Sequence, residues 1–118
     1  MGNRFPRSAR LLKHSDFDRV YKQGRRQFLP HMTVFYLRRA EGGMRIGFTV
    51  GRVLGAAVAR NRIKRRLREA VRLERARLKG PADVVVNPKK SVSTMEFPLL
   101  REEISRAFEL IAAKLGEK

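Results

Sequence analysis

No cysteine occurs among the 118 residues, so the chain has neither a disulfide framework nor a thiolate metal site. Tryptophan is absent too, and negative charge is scarce: 11 Asp plus Glu stand against 28 Lys plus Arg, a formal net charge of +17. No stretch approaches the roughly 18 consecutive apolar residues that a membrane-spanning helix needs. The beginning, Met1 to Lys13, is basic but lacks the apolar segment of a secretory signal. A cytoplasmic protein with no membrane association is the expectation. Catalytic constellations are missing as well. There is no phosphate-binding loop, no Gly-rich dinucleotide turn and no Ser/His/Asp spacing. Asp16 and Asp18 are two apart and do not share a helix face, Glu102 and Glu103 read as surface charges, and His14 and His31 fall in different elements. Unaided phosphodiester hydrolysis requires gathered carboxylates for metal, or a positioned acid and base. With neither visible, the chain is assigned no catalytic and no metal-binding residue.

What is present is a globular composition with one-sided charge. Hydrophobic residues make up 42% and charged residues 33%, enough for a folded core rather than a disordered chain. The length suggests one domain spanning residues 1–118. A charge of +17 in so small a domain strains the compact state and attracts a polyanion, nucleic acid foremost.

Met1 to Lys13, with Arg4, Arg7, Arg10 and Lys13, reads as an extended basic arm. Ser15 is placed to cap a short helix with Asp18 at the N3 position. Phe17, Val20 and Tyr21 share one face of it, and Gly24 stops it. Arg25 to Leu29 reads as a connector. His31 to Leu37 is β-branched and aromatic, Glu41-Gly42-Gly43 is a turn, and Arg45 to Val50 alternates, with Ile46, Phe48 and Val50 on one side. The two runs are expected to pair as an antiparallel hairpin. Gly51 and Gly55 bracket a bend into a helix from about Ala56 to Leu78, which Lys79-Gly80-Pro81 ends. Asp83-Val84-Val85-Val86 predicts a fully buried strand, Asn87 to Lys90 a basic turn, and Phe97 to Leu115 an amphipathic helix with Pro98 in its first turn. The class is α+β.

The second helix carries the functional signal. Six of the thirteen residues from Ala57 to Glu69 are Lys or Arg, and like charges four apart destabilise an isolated helix. At about 100° per residue, Ala56, Ala59, Ile63, Leu67, Ala70, Val71 and Leu78 form a packing face. Asn61, Lys64, Arg65, Arg68, Arg72 and Arg75 occupy an opposing arc, and Arg60 falls near the rim of the packing face. Solvated faces mix signs, and this one barely does. Arg offers phosphate a planar fork, and about six such contacts would give a log–log salt slope of roughly −4 to −6. Phe17, Tyr21 and Phe35 read as core from periodicity alone, or as stacking platforms for a single strand.

The stretch Gly55 to Glu69, with Arg60-Asn61-Arg62 followed by Ile63-Lys64-Arg65 and Leu67-Arg68-Glu69, resembles the protein subunit of bacterial ribonuclease P. The resemblance continues in Phe17 to Gly24, Arg45 to Val50 and Asp83 to Val86, covering nearly the whole chain in order. One departure stands out: the family often has two basic residues before the glycine, where Arg52 is here followed by Val53 and Leu54. The resemblance implies a ribosomal S5 domain 2-like α/β sandwich of about four strands and three helices, with a left-handed βαβ crossover. It implies partnership with a catalytic RNA that removes the 5′ leader of precursor tRNA, Mg²⁺ held mainly by that RNA, a protein inactive alone, and no required protein partner. It assigns Arg60, Asn61, Arg62, Lys64, Arg65 and Arg68, together with Arg52 and Arg72, to RNA binding, and Phe17, Tyr21 and Phe35 to a leader cleft. A general or ribosomal RNA-binding protein, a metal-dependent nuclease and a DNA-binding architectural protein are the competing readings of the same composition.

Overall fold

The valine run organises the sheet. In the computed structural model, which describes residues 9–40, 42–78 and 80–116, Val84, Val85 and Val86 are all fully buried. A strand that is apolar on both faces is satisfied only at the centre of a covered sheet. The elements in order are α1 (His14–Gln23), β1 (Arg25–Leu29), β2 (Met32–Arg38), β3 (Arg45–Phe48), α2 (Ala57–Glu74), β4 (Ala82–Pro88) and α3 (Phe97–Leu115). Short 3₁₀ turns lie at Arg52–Leu54, Arg75–Arg77 and Lys90–Ser93. The strands form one mixed sheet in the order β1-β2-β4-β3, an α+β fold as expected.

Two expectations about pairing fail. β2 and β3 are not a hairpin, because β4 inserts between them, antiparallel to β2 and parallel to β3. The stretch Arg25 to Leu29 is not a connector but the edge strand β1, paired with β2 from Arg25↔Tyr36 to Leu29↔Met32 through a two-residue turn at Pro30 and His31. The His31 N–H donates to Glu103 Oε2 at 2.8 Å, and its ring Nδ1 shares a 2.7 Å hydrogen bond with Ser91 Oγ. Glu103 therefore ties the hairpin to α3 and is not merely a surface charge.

One face of the sheet holds the main core. Met32, Val34, Tyr36, Ile46, Val84 and Val86 meet Ile63, Leu67, Ala70 and Val71 of α2 and Leu100, Ile104, Ala107, Phe108 and Ile111 of α3. Each large apolar side chain so buried contributes about 1.5–3 kcal/mol. The predicted packing faces of both helices are those observed except at the start of α2, where Ala56 is exposed and Ala59 half-buried, with Phe48 and Val50 packed on the margin. α2 tightens into 3₁₀ geometry after Glu74, and Leu78 is still buried beyond it.

The other face carries α1 and a smaller cluster of Leu11, Val20 and Val85 with Phe17, Tyr21, Phe35 and Leu37. Ser15 does not cap α1. The helix begins at His14 with Lys13 as its N-cap, whose carbonyl accepts the N–H groups of Asp16 and Phe17. Gly24 does stop it, though in an extended conformation (φ −80°, ψ 174°) rather than a left-handed one. The reason for glycine is proximity: a Cβ there would lie 2.5 Å from the Val20 carbonyl oxygen and 2.6 Å from that of Tyr36.

Of the expected basic arm, Arg4 and Arg7 lie outside the described residues. Its last part is not free. Arg10 bridges Ile46 in parallel, the Leu11 N–H donates to the Ile46 carbonyl at 2.9 Å, and Ala9 and Leu11 are buried. The alternation of Ala9 and Leu11 with Arg10 and Leu12 lets this segment cover the outer edge of β3. Among the described residues no helix is long and apolar enough to cross a membrane.

Candidate nucleic-acid interface

Strand register defines an open floor beside α1. Phe28 pairs with Thr33, and Thr33 with Asn87, while the Thr49 N–H donates to the Val86 carbonyl just past β3. The alternation of side chains puts Thr33, Phe35, Val85 and Asn87 on the α1 side of the sheet. α1 covers only part of that face. Tyr21 packs edge-on against Phe35, with ring centroids 4.9 Å apart and planes at 84°. Its hydroxyl donates to Asn87 Oδ1 at 2.9 Å and shares a 2.5 Å hydrogen bond with Thr49 Oγ1. The tip of the Phe17 ring reaches β3 because position 47 has no side chain: a Cβ there would sit 2.4 Å from Phe17 Cζ and 3.1 Å from Leu11 Cβ. All three sequence-predicted aromatics are thus brought together, half-buried, against the smaller apolar cluster, and Phe17 also lines the depression beside α2.

An ionic network fixes the start of α1 to the sheet. Asp83, fully buried at the start of β4, accepts two 2.7 Å hydrogen bonds from Arg45 on β3. Arg39 and Arg19 approach the same carboxylate at 3.6 and 3.5 Å. Arg19 also pairs with Asp16 at 2.8 Å, and Asp16 with Arg45 at 3.5 Å. The hydrogen bond to Asp83 raises the pKa of the Arg45 guanidinium against the lowering effect of burial. A buried charge is tolerated only when paired in this way. Sequence reasoning missed Asp83 and its partners, since an Asp ahead of a valine run carries no sign that arginines from positions 19, 39 and 45 will converge on it.

The cations of α2 divide between two flanks. Arg60, Lys64 and Arg68 follow one another at i, i+4, i+8. Lys64 and Arg68 line one depression together with Arg10, Leu11, Leu12, Phe17, Gly47 and Phe48, at the foot of the aromatic cluster. Arg60 is half-buried, and its Nε is shielded from solvent with no hydrogen-bond acceptor among the described residues. Arg62 and Arg65 line a separate depression with Arg66, Glu69 and Phe97. Arg66, which the sequence reading left out of the site, donates to the carbonyls of Val92 and Met95 and so staples α2 to the turn before α3. Asn61 is exposed, and Arg72 pairs with Glu69, whose carboxyl that hydrogen bond holds below the usual range against the effect of burial. Arg52 is exposed in the 3₁₀ turn before the helix; Val53 beside it is 90% exposed, while Leu54 is buried. The departure from the family pattern at positions 53 and 54 therefore puts one side chain in the core and one in solvent.

Among the described residues no group of three or more His, Asp or Glu side chains gathers into an all-protein metal cage. The carboxylates nearest the cleft, Asp16 and Asp83, are committed to arginines.

The comparisons with known proteins agree with this arrangement. The family model described as Ribonuclease P matches residues 5–112. A ribonuclease P protein component from Symbiobacterium thermophilum is 41% identical over 104 residues, covering 87% of this chain and 90% of the relative. One from Dictyoglomus turgidum is 36% identical over 107 residues, covering 89% and 90%. Of solved structures, the RNase P protein from Thermotoga maritima is similar with a TM-score of 0.78 at 28% identity, covering 86% of this chain and 96% of that one. The Staphylococcus aureus RNase P protein gives 0.77 at 25% identity, covering 89% and 96%. With a family match over most of its length, relatives above one-third identity and the same four-stranded architecture, the chain belongs to the ribonuclease P protein family.

Proposed function

We propose that this chain is the protein subunit of a ribonucleoprotein endonuclease that removes the 5′ leader of precursor tRNA, and that it works as a clamp rather than as a catalyst. The outer flank of α2, with Arg52, Asn61, Arg62, Arg65 and Arg72, docks on the catalytic RNA. The cleft flank, with Arg60, Lys64 and Arg68, neutralises leader phosphates while Phe17, Tyr21 and Phe35 meet its bases. The observation that carries this reading is the convergence of Lys64 and Arg68 with Phe17 on one rim of an otherwise open sheet face. A positively charged groove with aromatic walls suits a single strand of varied sequence, because stacking and phosphate contacts are indifferent to base identity. The buried carboxylates Asp16, Glu74 and Asp83 are paired with arginines, so Mg²⁺ is assigned mainly to the RNA, and the cytoplasm is the compartment in which such a substrate is met. No further protein is required.

The test is reconstitution with ribonuclease P RNA and precursor tRNA at low Mg²⁺. The protein alone should be inert, and the mixture should cleave at the mature 5′ end faster than the RNA does by itself. Cleavage by the protein alone would make it a nuclease in its own right. Binding to RNA without stimulation of cleavage would leave only a general RNA-binding protein.

A further inference from the structure

The open sheet face does not end at Phe35. Register places Arg26 opposite Phe35 and Phe28 opposite Thr33, so both β1 side chains stand on the same face as the cleft floor. Their neighbours Gln27 and Leu29 alternate to the other side, opposite the buried Val34 and Met32. Phe28 is 67% exposed, and the Arg26 guanidinium carbon lies 5.4 Å from its ring centroid. Diagonal neighbours across such a pair lie about 7–8 Å apart, which is the relation of Phe28 to Phe35.

The reach of a bound strand follows from topology. The row Phe28, Thr33, Asn87, Thr49 crosses the sheet from the free edge of β1 to the end of β3 that leads into α2. A single strand whose cleavage site is held near α2 therefore crosses Thr49, Asn87 and Thr33 and reaches β1 with its outermost nucleotides. On the cleft side of that edge Lys22, Arg25 and Arg26 are all exposed and β1 contains no acidic residue, while the depression that Phe28 lines with α3 holds Glu102, Glu103 and Arg106. A phenyl ring held beside a guanidinium offers one π-face for a base and one cation for a phosphate. Resting on the function proposed above, we infer that Arg26 and Phe28 form a second stacking platform, on the edge strand, for leader nucleotides farther from the cleavage site than those held against Phe35.

The experiment compares wild-type protein and Phe28→Ala, each reconstituted with ribonuclease P RNA, on precursor tRNAs whose leaders are shortened stepwise from the 5′ end. The ratio of affinities for long and short leaders should fall about fivefold or more in Phe28→Ala, as loss of one stacked base entails, and Phe28→Trp should restore it. Arg26→Gln should lower the same ratio and flatten its salt dependence. An unchanged ratio in Phe28→Ala overturns the inference. So does an equal loss on every leader length, which would mark a change in fold or in docking on the catalytic RNA. If the wild-type complex shows no leader-length dependence at all, the cleft reading itself fails; if the wild type shows it and Phe28→Ala keeps it unchanged, the cleft stands and the β1 platform falls.

Discussion

Gly47 is the residue on which the shape of the cleft turns. Its backbone is ordinary strand, so an alanine would meet no conformational penalty, only the Phe17 ring and the Leu11 Cβ. Gly47→Ala should push Phe17 off the sheet and cost about 1–3 kcal/mol, the usual penalty of an added methyl in a packed site. Denaturant unfolding of G47A, F17A and the double variant checks this. Since the collision needs both groups, the double variant should be more stable than the sum of the single losses predicts, and strict additivity would mean that Phe17 is not what the methyl meets. Side-chain chemistry at this scale was legible only in part. The periodicity of Phe17 and Tyr21 marked a buried helix face, and the family resemblance marked a cleft; both describe the same half-covered rings. Asp83 was illegible because its partners come from three separate stretches. Arg66 falls outside the cationic arc read from sequence, and two carbonyls of the turn before α3 claim it.

At the scale of elements, the pairing of α2 with α3 depends on a carboxylate within the apolar stripe. Glu74, at the end of α2, is buried, and accepts hydrogen bonds from Arg77 at 2.8 Å and from Arg101 of α3 at 2.9 and 2.6 Å. Burial pushes its carboxyl up, but the hydrogen bonds and charges of Arg101 and Arg77 outweigh this and hold it below its ordinary value of 4.5. The folded state thus binds the proton less well than the unfolded chain. The contribution is complete above about pH 4.5 and is lost as pH falls through the folded value. Glu74→Gln should cost about 1–3 kcal/mol at neutral pH and flatten the acid limb of a stability–pH curve. Glu69, held low by Arg72, keeps part of that slope in the variant. An acid limb identical to wild type would exclude Glu74 as the titrating group. The elements themselves were more readable than their neighbours. α2, β4 and α3 follow from periodicity because each buries a continuous stripe. β1 escaped notice because an edge strand buries so little: of Arg25 to Leu29 only Leu29 is buried. The β2–β3 hairpin was a reasonable guess from adjacency, but long-range burial of both faces of β4 decides the order, and adjacency carries no information about that.

Across the whole molecule, the charge of +17 is unevenly placed, and the proposed function asks it to serve two RNA ligands. The buried acids, Asp16, Glu74 and Asp83, are consumed by internal arginines. α3 presents Glu102 and Glu109 on its exposed surface, so the excess positive field lies over α2, the end of α1 and β1. If the two flanks of α2 serve different ligands, their salt dependences must differ. An isolated single-stranded RNA held by Arg26, Arg60, Lys64 and Arg68 should show a log–log slope of about −3, at about −0.7 per phosphate contact on a single strand. The folded catalytic RNA, drawing on the four cations Arg52, Arg62, Arg65 and Arg72 of the outer flank, should give a steeper value of about −3.6, at about −0.9 per phosphate contact on a duplex. Arg68→Ala should then flatten the single-strand slope by about 0.7, whereas Arg65→Ala should act on the slope for catalytic RNA. Equal effects of both substitutions on both ligands would show that α2 presents one undivided cationic surface, and that the split between Lys64–Arg68 and Arg62–Arg65 has no counterpart in binding.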